Sequence, residues 1–227
     1  HSCSTSVEKP AHSYAPLDYV DPLIGTGFHG HTFPGATTPF GMVQLSPDTR
    51  LPGWDASSGY HYSDSTIYGF SHTHLSGTGI GDMGDILLLP FTGEVADELI
   101  ATFDKGEETA EAGYYRVQLD NFDVQAELTA TPRSGIHRYT YPADADKKLL
   151  LDLAHVLQPN WGHEVRASEL EFIDKRSIRG KRVSRGWAYD HPVYFYAVFS
   201  EPYEVITVKD EGAERNGASI EGKGLKT

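Results

Sequence analysis

Residues 114–141 read YYRVQLDNFDVQAELTATPRSGIHRYTY, and this stretch decides the fold class. Tyr114 to Leu119, Val124 to Thr131 and Gly135 to Tyr141 are rich in β-branched, aromatic and alternating residues. The turn residues Asp120-Asn121 and Pro132 separate them. Short β-rich runs at a spacing of roughly ten residues predict an antiparallel sandwich or barrel. Outward from this stretch the pattern continues. Gly41 to Leu45, Ile86 to Leu89 (a buried run ended by Pro90), Lys148 to Leu153 and Glu169 to Ile173 read as strands, as do Ser177 to Ser184, Val193 to Phe199 and Tyr203 to Val208. Ala96 to Thr102 reads as a weak helical turn and Asp210 to Gly222 as a polar loop. No long stretch carries a 3.6-residue period, so the chain is expected to be all-β.

Residues 1–16, rich in Ser, Thr and Pro, read as a flexible leader, and 17–227 as one β domain. The final Gly224-Leu225-Lys226-Thr227 reads as the start of a strand, so the domain is expected to be cut before its end. Cys3 is the only cysteine, which excludes an internal disulfide and a cysteine-based metal cluster. Followed by Ser4-Thr5-Ser6, it is read as a lipidation site of a bacterial lipoprotein, against a tag remnant or an ordinary exposed cysteine. No apolar run is long enough to span a membrane. The net charge of −13, from 32 acidic and 19 basic residues, argues against nucleic acid, whose affinity rests on Lys and Arg at phosphates. A neutral ligand such as sugar, or a cation, is easier to accommodate.

The region from Asp21 to Pro90 packs glycine, proline, histidine, aromatic and acidic residues together with few long aliphatics. Glycine permits positive φ and proline fixes the chain, so rigid loops holding polar and aromatic side chains are expected there. His29-Gly30-His31 and His72-Thr73-His74 are two H-x-H pairs. On a strand, residues i and i+2 share a face, so each pair can offer two imidazoles to one metal. A complete site needs a further carboxylate or histidine; without it, the histidines serve the backbone. Trp54, in the loop Gly53-Trp54-Asp55, is read as a stacking platform for the C–H face of a pyranose, with Asp55 accepting from its hydroxyls. The alternative is an indole plugging the core. Asp82 and Asp85, among Gly77, Gly79, Gly81 and Gly84, offer a general acid/base pair or calcium ligands, though not at the spacing of an EF-hand; the alternative is that they accept from backbone N–H groups in a glycine-rich turn. No G-x-S-x-G elbow is present, so serine-hydrolase chemistry has no support.

The blocks DPLIGTGFHGHTFPGATTPFGMVQLSPDT, GWDASSGYHYSDSTIYGFSHTHLSGTG and GDILLLP resemble the N-terminal domain of glycoside hydrolase family 92. So do Ala130-Thr131 through Gly135, His137-Arg138-Tyr139, Gly186-Trp187-Ala188 and Val193-Tyr194-Phe195. The family comprises calcium-dependent, exo-acting α-mannosidases of bacteria. The resemblance implies an antiparallel β-sandwich packed on a larger C-terminal (α/α)6 barrel that lies beyond these residues. It implies inverting hydrolysis by a carboxylic acid and a carboxylate set roughly 6.5–9.5 Å apart, with calcium on the mannose diol. The acid, the base and most calcium ligands belong to the C-terminal domain. The expectation is therefore no catalytic residue and no metal ligand in this chain, which is inert alone. It contributes one wall of the sugar pocket through Gly27, Phe28, His29, His31, Trp54 and Asp55, with His72 and His74 behind that wall. The implied whole is an exo-mannosidase, read as α-1,2-specific, that takes terminal mannose from glycans in the periplasm, at the outer membrane or outside a bacterium. A free-standing carbohydrate-binding module and a cupin-type H-x-H metalloenzyme are the competing readings.

Overall fold

The computed structural model describes residues 15–50, 52–204 and 207–227. The proposed lipidation site Cys3 lies outside the described residues, as does most of the leader. The described strands form an eight-stranded sheet, two four-stranded sheets and a two-stranded pair, all paired antiparallel. In spatial order the central sheet runs Ala36–Thr37, Gln44–Asp48, Gly69–Ser71, Leu87–Phe91, Lys148–Asp152, Leu225–Lys226, Val208–Asp210 and Ala213–Arg215. One flanking sheet runs Gly135–Thr140, Val124–Ala130, Tyr114–Leu119 and Thr109–Glu111. The other runs His191–Val198, Ser177–Arg185, Glu164–Phe172 and Ser219–Gly222.

Consecutive leucines explain how the three sheets stack. Leu89 belongs to one apolar cluster and its neighbour Leu88 to the other. Successive side chains of a strand point to opposite faces, so the two clusters lie on opposite faces of the central sheet. The register agrees. Leu150 lies opposite Leu89 and packs against the first cluster, while Leu151 lies opposite Leu88 within the second. A strand covered on both faces needs no polar alternation, hence the runs Leu87–Phe91 and Leu149–Leu151. Tyr115, Val117, Leu119, Ala126 and Leu128 of the first flanking sheet close the first cluster. Leu170, Ile178 and Ile220 of the second close the other. Each such side chain contributes about 1.5–3 kcal/mol on full burial. The expected all-β antiparallel sandwich is thus realised with a flanking sheet on each face.

Several boundaries differ from the sequence reading. Pro90 does not end its run; the strand passes through it to Phe91, with Pro90 opposite Leu149. The strand expected at Gly41 to Leu45 lies at Gln44–Asp48, because Gly41 and Met42 bond back to Thr38 and Pro132. Ala96 to Thr102 contains no helical turn; Ala101–Thr102 pairs with Thr66–Ile67. The supposed loop Asp210 to Gly222 holds two strands, Ala213–Arg215 and Ser219–Gly222. The second adds to the edge of Glu164–Phe172 and buries Ile220, so pairing outweighs the polar composition. The strand expected at Tyr203 to Val208 begins at Val208, with residues 205–206 outside the described ones. Leu225–Lys226 sits between Lys148–Asp152 and Val208–Asp210.

Candidate functional site

Glycines shape the loop that carries His29 and His31. A Cβ on Gly30 would come within 1.9 Å of the Gly25 carbonyl oxygen, so only glycine permits this close approach. The turn is held by Gly30 N–H to Gly27 O at 3.1 Å and Thr32 N–H to Gly25 O at 3.3 Å. Both histidines thereby reach the indole of Trp54, at ring-centroid distances of 4.8 Å for His29 and 4.4 Å, edge-on, for His31. Trp54 opens the 3-10 turn Trp54–Ala56 after Gly53, whose φ is +94°. Its side chain is 47% exposed, so the indole does not plug the core. Phe28, at φ +50°, is 89% exposed. Its carbonyl accepts from His61 Nε2 at 3.1 Å.

Asp55 completes the cluster. His29 Nδ1 lies 2.6 Å from Asp55 Oδ1, whereas His31 Nε2 stops at 3.6 Å, beyond hydrogen-bond reach. The hydrogen bond from His29, reinforced by the charges of His29, His61 and His31, holds the Asp55 carboxyl below the usual carboxylate range. The result is an exposed indole face beside an ionised acceptor. This arrangement suits a ligand with one apolar face and hydroxyls at its edge.

Neither H-x-H pair works as a same-face strand pair. His29 and His31 lie in a turn, and His72 and His74 follow the strand Gly69–Ser71. Among the described residues no group of three or more His, Cys, Asp or Glu is placed to hold a metal ion. His74 is buried under the Trp54–Tyr60 turn. Its Nδ1 reaches Gln44 O at 2.7 Å, and its Nε2 reaches Asp48 Oδ1 at 2.7 Å. A Cβ on Gly59 would meet its ring at 3.1 Å, so His74 packs behind the turn that carries Trp54. His72 turns away. Its Nδ1 lies 2.6 Å from Ile86 O, which can only accept, so Nδ1 donates and Nε2 accepts. His137 Nε2, 3.0 Å away, must then donate, leaving its Nδ1 to accept from Tyr139 O–H at 2.7 Å. Burial pushes both imidazoles down, that of His137 well below the usual histidine range. His72 thus joins the central sheet to the first flanking sheet.

Further buried side chains buttress this region, and of these Asp48, His155, Arg182 and Gln158 carried no sequence signal. Asp48 is fully buried and is shared by His74 and His155, the latter at 2.8 Å. Burial opposes its ionisation, yet the His74 charge and the His155 hydrogen bond outweigh it and hold the carboxyl far below its ordinary range. Asp85 takes Thr73 Oγ1 at 2.7 Å and Arg182 Nη1 at 2.7 Å. Asp82 accepts the backbone N–H of Met83 at 2.8 Å and of Trp187 at 2.9 Å. Asp82 thus accepts backbone N–H groups, as the sequence reading expected, whereas Asp85 is held by side chains instead. Gln158 donates its side-chain amide to Gly53 O, directly before Trp54.

Residues 19–227 match the model of the glycosyl hydrolase family 92 N-terminal domain. The structure resembles a family 92 α-mannosidase of Bacteroides thetaiotaomicron solved with mannoimidazole, with a TM-score of 0.87 and 36% identity, over 92% of this chain and 30% of that one. A second, described as an inverting mannosidase of the same organism, gives a TM-score of 0.74 and 26% identity over 92% of this chain and 28% of that one. An uncharacterized secreted glycosidase of Arthroderma benhamiae is 33% identical over 156 residues, 62% of this chain and 20% of that protein. The chain thus spans less than a third of the length of each of these proteins.

Proposed function

The chain belongs to the glycosyl hydrolase family 92 N-terminal domain family, and from that premise we propose that it is the N-terminal part of an exo-acting, inverting α-mannosidase. In this reading it supplies one wall of the mannose pocket and hydrolyses nothing alone. The observation that carries the reading is Trp54, half exposed, braced by His29 and His31 and paired with the ionised Asp55. An indole face with an adjacent acceptor is what a pyranose, apolar on one face and hydroxylated at its rim, requires. Gly27 shapes the same turn, and Phe28 offers its ring to solvent beside it.

Calcium needs six to eight oxygen ligands, and the described residues do not make such a cradle. Asp55 is taken by His29, Asp82 by two backbone N–H groups, and Asp85 by Thr73 and Arg182. Our proposal therefore places calcium dependence, with the catalytic acid and base, in the (α/α)6 domain of the full-length protein. The proposed substrate is a glycan ending in α-1,2-linked mannose, and the proposed location is periplasmic, outer-membrane-anchored through Cys3, or secreted. The secreted relative supports an extracytoplasmic location.

The test is mannose release from α-1,2-mannobiose by the full-length protein and by residues 1–227, each with and without a calcium chelator. Release by the full-length protein only, abolished by chelator, is the expected result. Release by neither on any α-mannoside, with sugar still bound by the fragment, would favour a carbohydrate-binding module instead.

A further inference from the structure

The chain contains three tryptophans. All three are exposed, Trp54 at 47%, Trp161 at 52% and Trp187 at 66%. Tryptophan is large and apolar, and leaving all three indoles half in water forgoes burial of one of the richest apolar surfaces a chain offers. Their anchors converge on one short segment. A Cβ on Gly79 would touch Trp54 Nε1 at 2.9 Å. The side chain of Gln158 covers Gly81, where a Cβ would come within 1.8 Å of its Cγ. Gln158 also opens the turn that ends at Trp161, whose N–H bonds Gln158 O at 3.0 Å. Asp82 holds the backbone N–H of Trp187. Gly79, Gly81 and Asp82 fall within four consecutive residues, a chain length of at most about 11 Å between anchors.

The anchors are also joined to one another. Gln158 donates to Gly53 O, tying the Trp161 turn to the Trp54 turn, and its Oε1 is buried with no hydrogen-bond partner among the described residues. Glycine and polar side chains, Gly79, Gly81, Gln158 and Asp82, make up the anchors, and a ligand alternating C–H faces with hydroxyls suits exposed indoles held among such groups. The strongly acidic balance of the chain favours a neutral ligand as well.

We propose that Trp161 and Trp187 extend the sugar site begun at Trp54 into an oligosaccharide-binding face, each stacking on a sugar further along the glycan. The inference rests on the reading of Trp54 as a mannose-pocket wall. It assigns to this chain a preference for longer glycans over disaccharides.

The experiment measures kcat/KM of the full-length protein on α-1,2-linked mannobiose and on a linear α-1,2-linked mannotetraose. The variants are Trp161→Ala, Trp187→Ala, Trp161→Phe and Trp187→Phe. Each Ala variant is expected to lose about tenfold on the tetrasaccharide, roughly 1.4 kcal/mol, and less than about twofold on the disaccharide. The Phe variants, which keep a stacking face and the local packing, are expected to recover most of the loss. Equal losses on both sugars would overturn the proposal and assign the indoles to contact with the rest of the polypeptide, and so would no loss on either. A wild-type protein inactive on both sugars would instead overturn the mannosidase reading, and this inference with it.

Discussion

Arg182 Nη1 meets Asp85 Oδ1 at 2.7 Å with both side chains wholly buried, across 97 residues of sequence. The same guanidinium also donates to Gly84 O and His155 O. It thereby locks the glycine-rich loop to the strand Ser177–Arg185 and to the segment after Lys148–Asp152. A buried pair adds little net stability when formed, but removing one partner strands the other charge at about 3–5 kcal/mol. Arg182→Met should therefore destabilise the full-length protein by about that amount in urea unfolding. A change under about 1 kcal/mol would show that Asp85 finds compensation from Thr73 and His191.

Trp54→Ala in the full-length protein should lower kcat/KM on an α-mannoside about tenfold or more, a loss of roughly 1.4 kcal/mol or above. Trp54→Phe should restore part of it. Hydrolysis at the wild-type rate in the Ala variant would remove Trp54 from the pocket.

Gly77 and Gly79 provide a matched pair. Both have positive φ, +74° and +65°, so an L side chain strains either backbone by about 1–2 kcal/mol. Only at Gly79 does the added Cβ collide, at 2.9 Å from Trp54 Nε1; at Gly77 nothing lies within 4 Å. Gly79→Ala should reduce turnover as well as the melting temperature, while Gly77→Ala should lower the melting temperature alone. Equal effects of the two on turnover would contradict the contact with Trp54.

Stability should fall as the solution becomes mildly acidic. His72, His137 and His163 have folded values pushed down, in each case first by burial. The unfolded chain then binds more protons than the folded one, so their contribution is fully present above the unfolded value of about 6.5 and is lost below it. His191 has the opposite sign. Its hydrogen bond to Asp85 raises its value, so its contribution is complete below about 6.5 and is lost as pH rises through the folded value. Three groups against one, with His137 displaced furthest among the three, decide the direction. The melting temperature measured from pH 7.5 to 5.5 should drop; a flat or rising profile would refute the neutral His72–His137 pair.

The hairpins of residues 114–141 were legible almost to the residue, found at Tyr114–Leu119, Val124–Ala130 and Gly135–Thr140. Their partners are neighbours in sequence, so alternation and turn residues carry the whole signal. The cluster of Trp54, His29, His31 and Asp55 was legible for a similar reason, since these residues stand among glycines that enforce their loops. Ser219–Gly222 and Ala101–Thr102 were not legible. Each becomes a strand only because a distant edge needs a partner.

Sequence alone determined the all-β class and the loops that hold Trp54, His29, His31 and Asp55, because these rest on local periodicity and backbone restriction, and its blocks of residues carried the resemblance to the family. Tertiary structure alone decided that Leu88 and Leu89 serve two cores, that His72 turns to His137 while His74 packs behind the Trp54 turn, and that Gln158, Asp82 and Arg182 tie distant loops together. Those ties join residues about a hundred positions apart. They gain their strength only when the closed sheets exclude water from them, a condition that no local stretch of chain encodes.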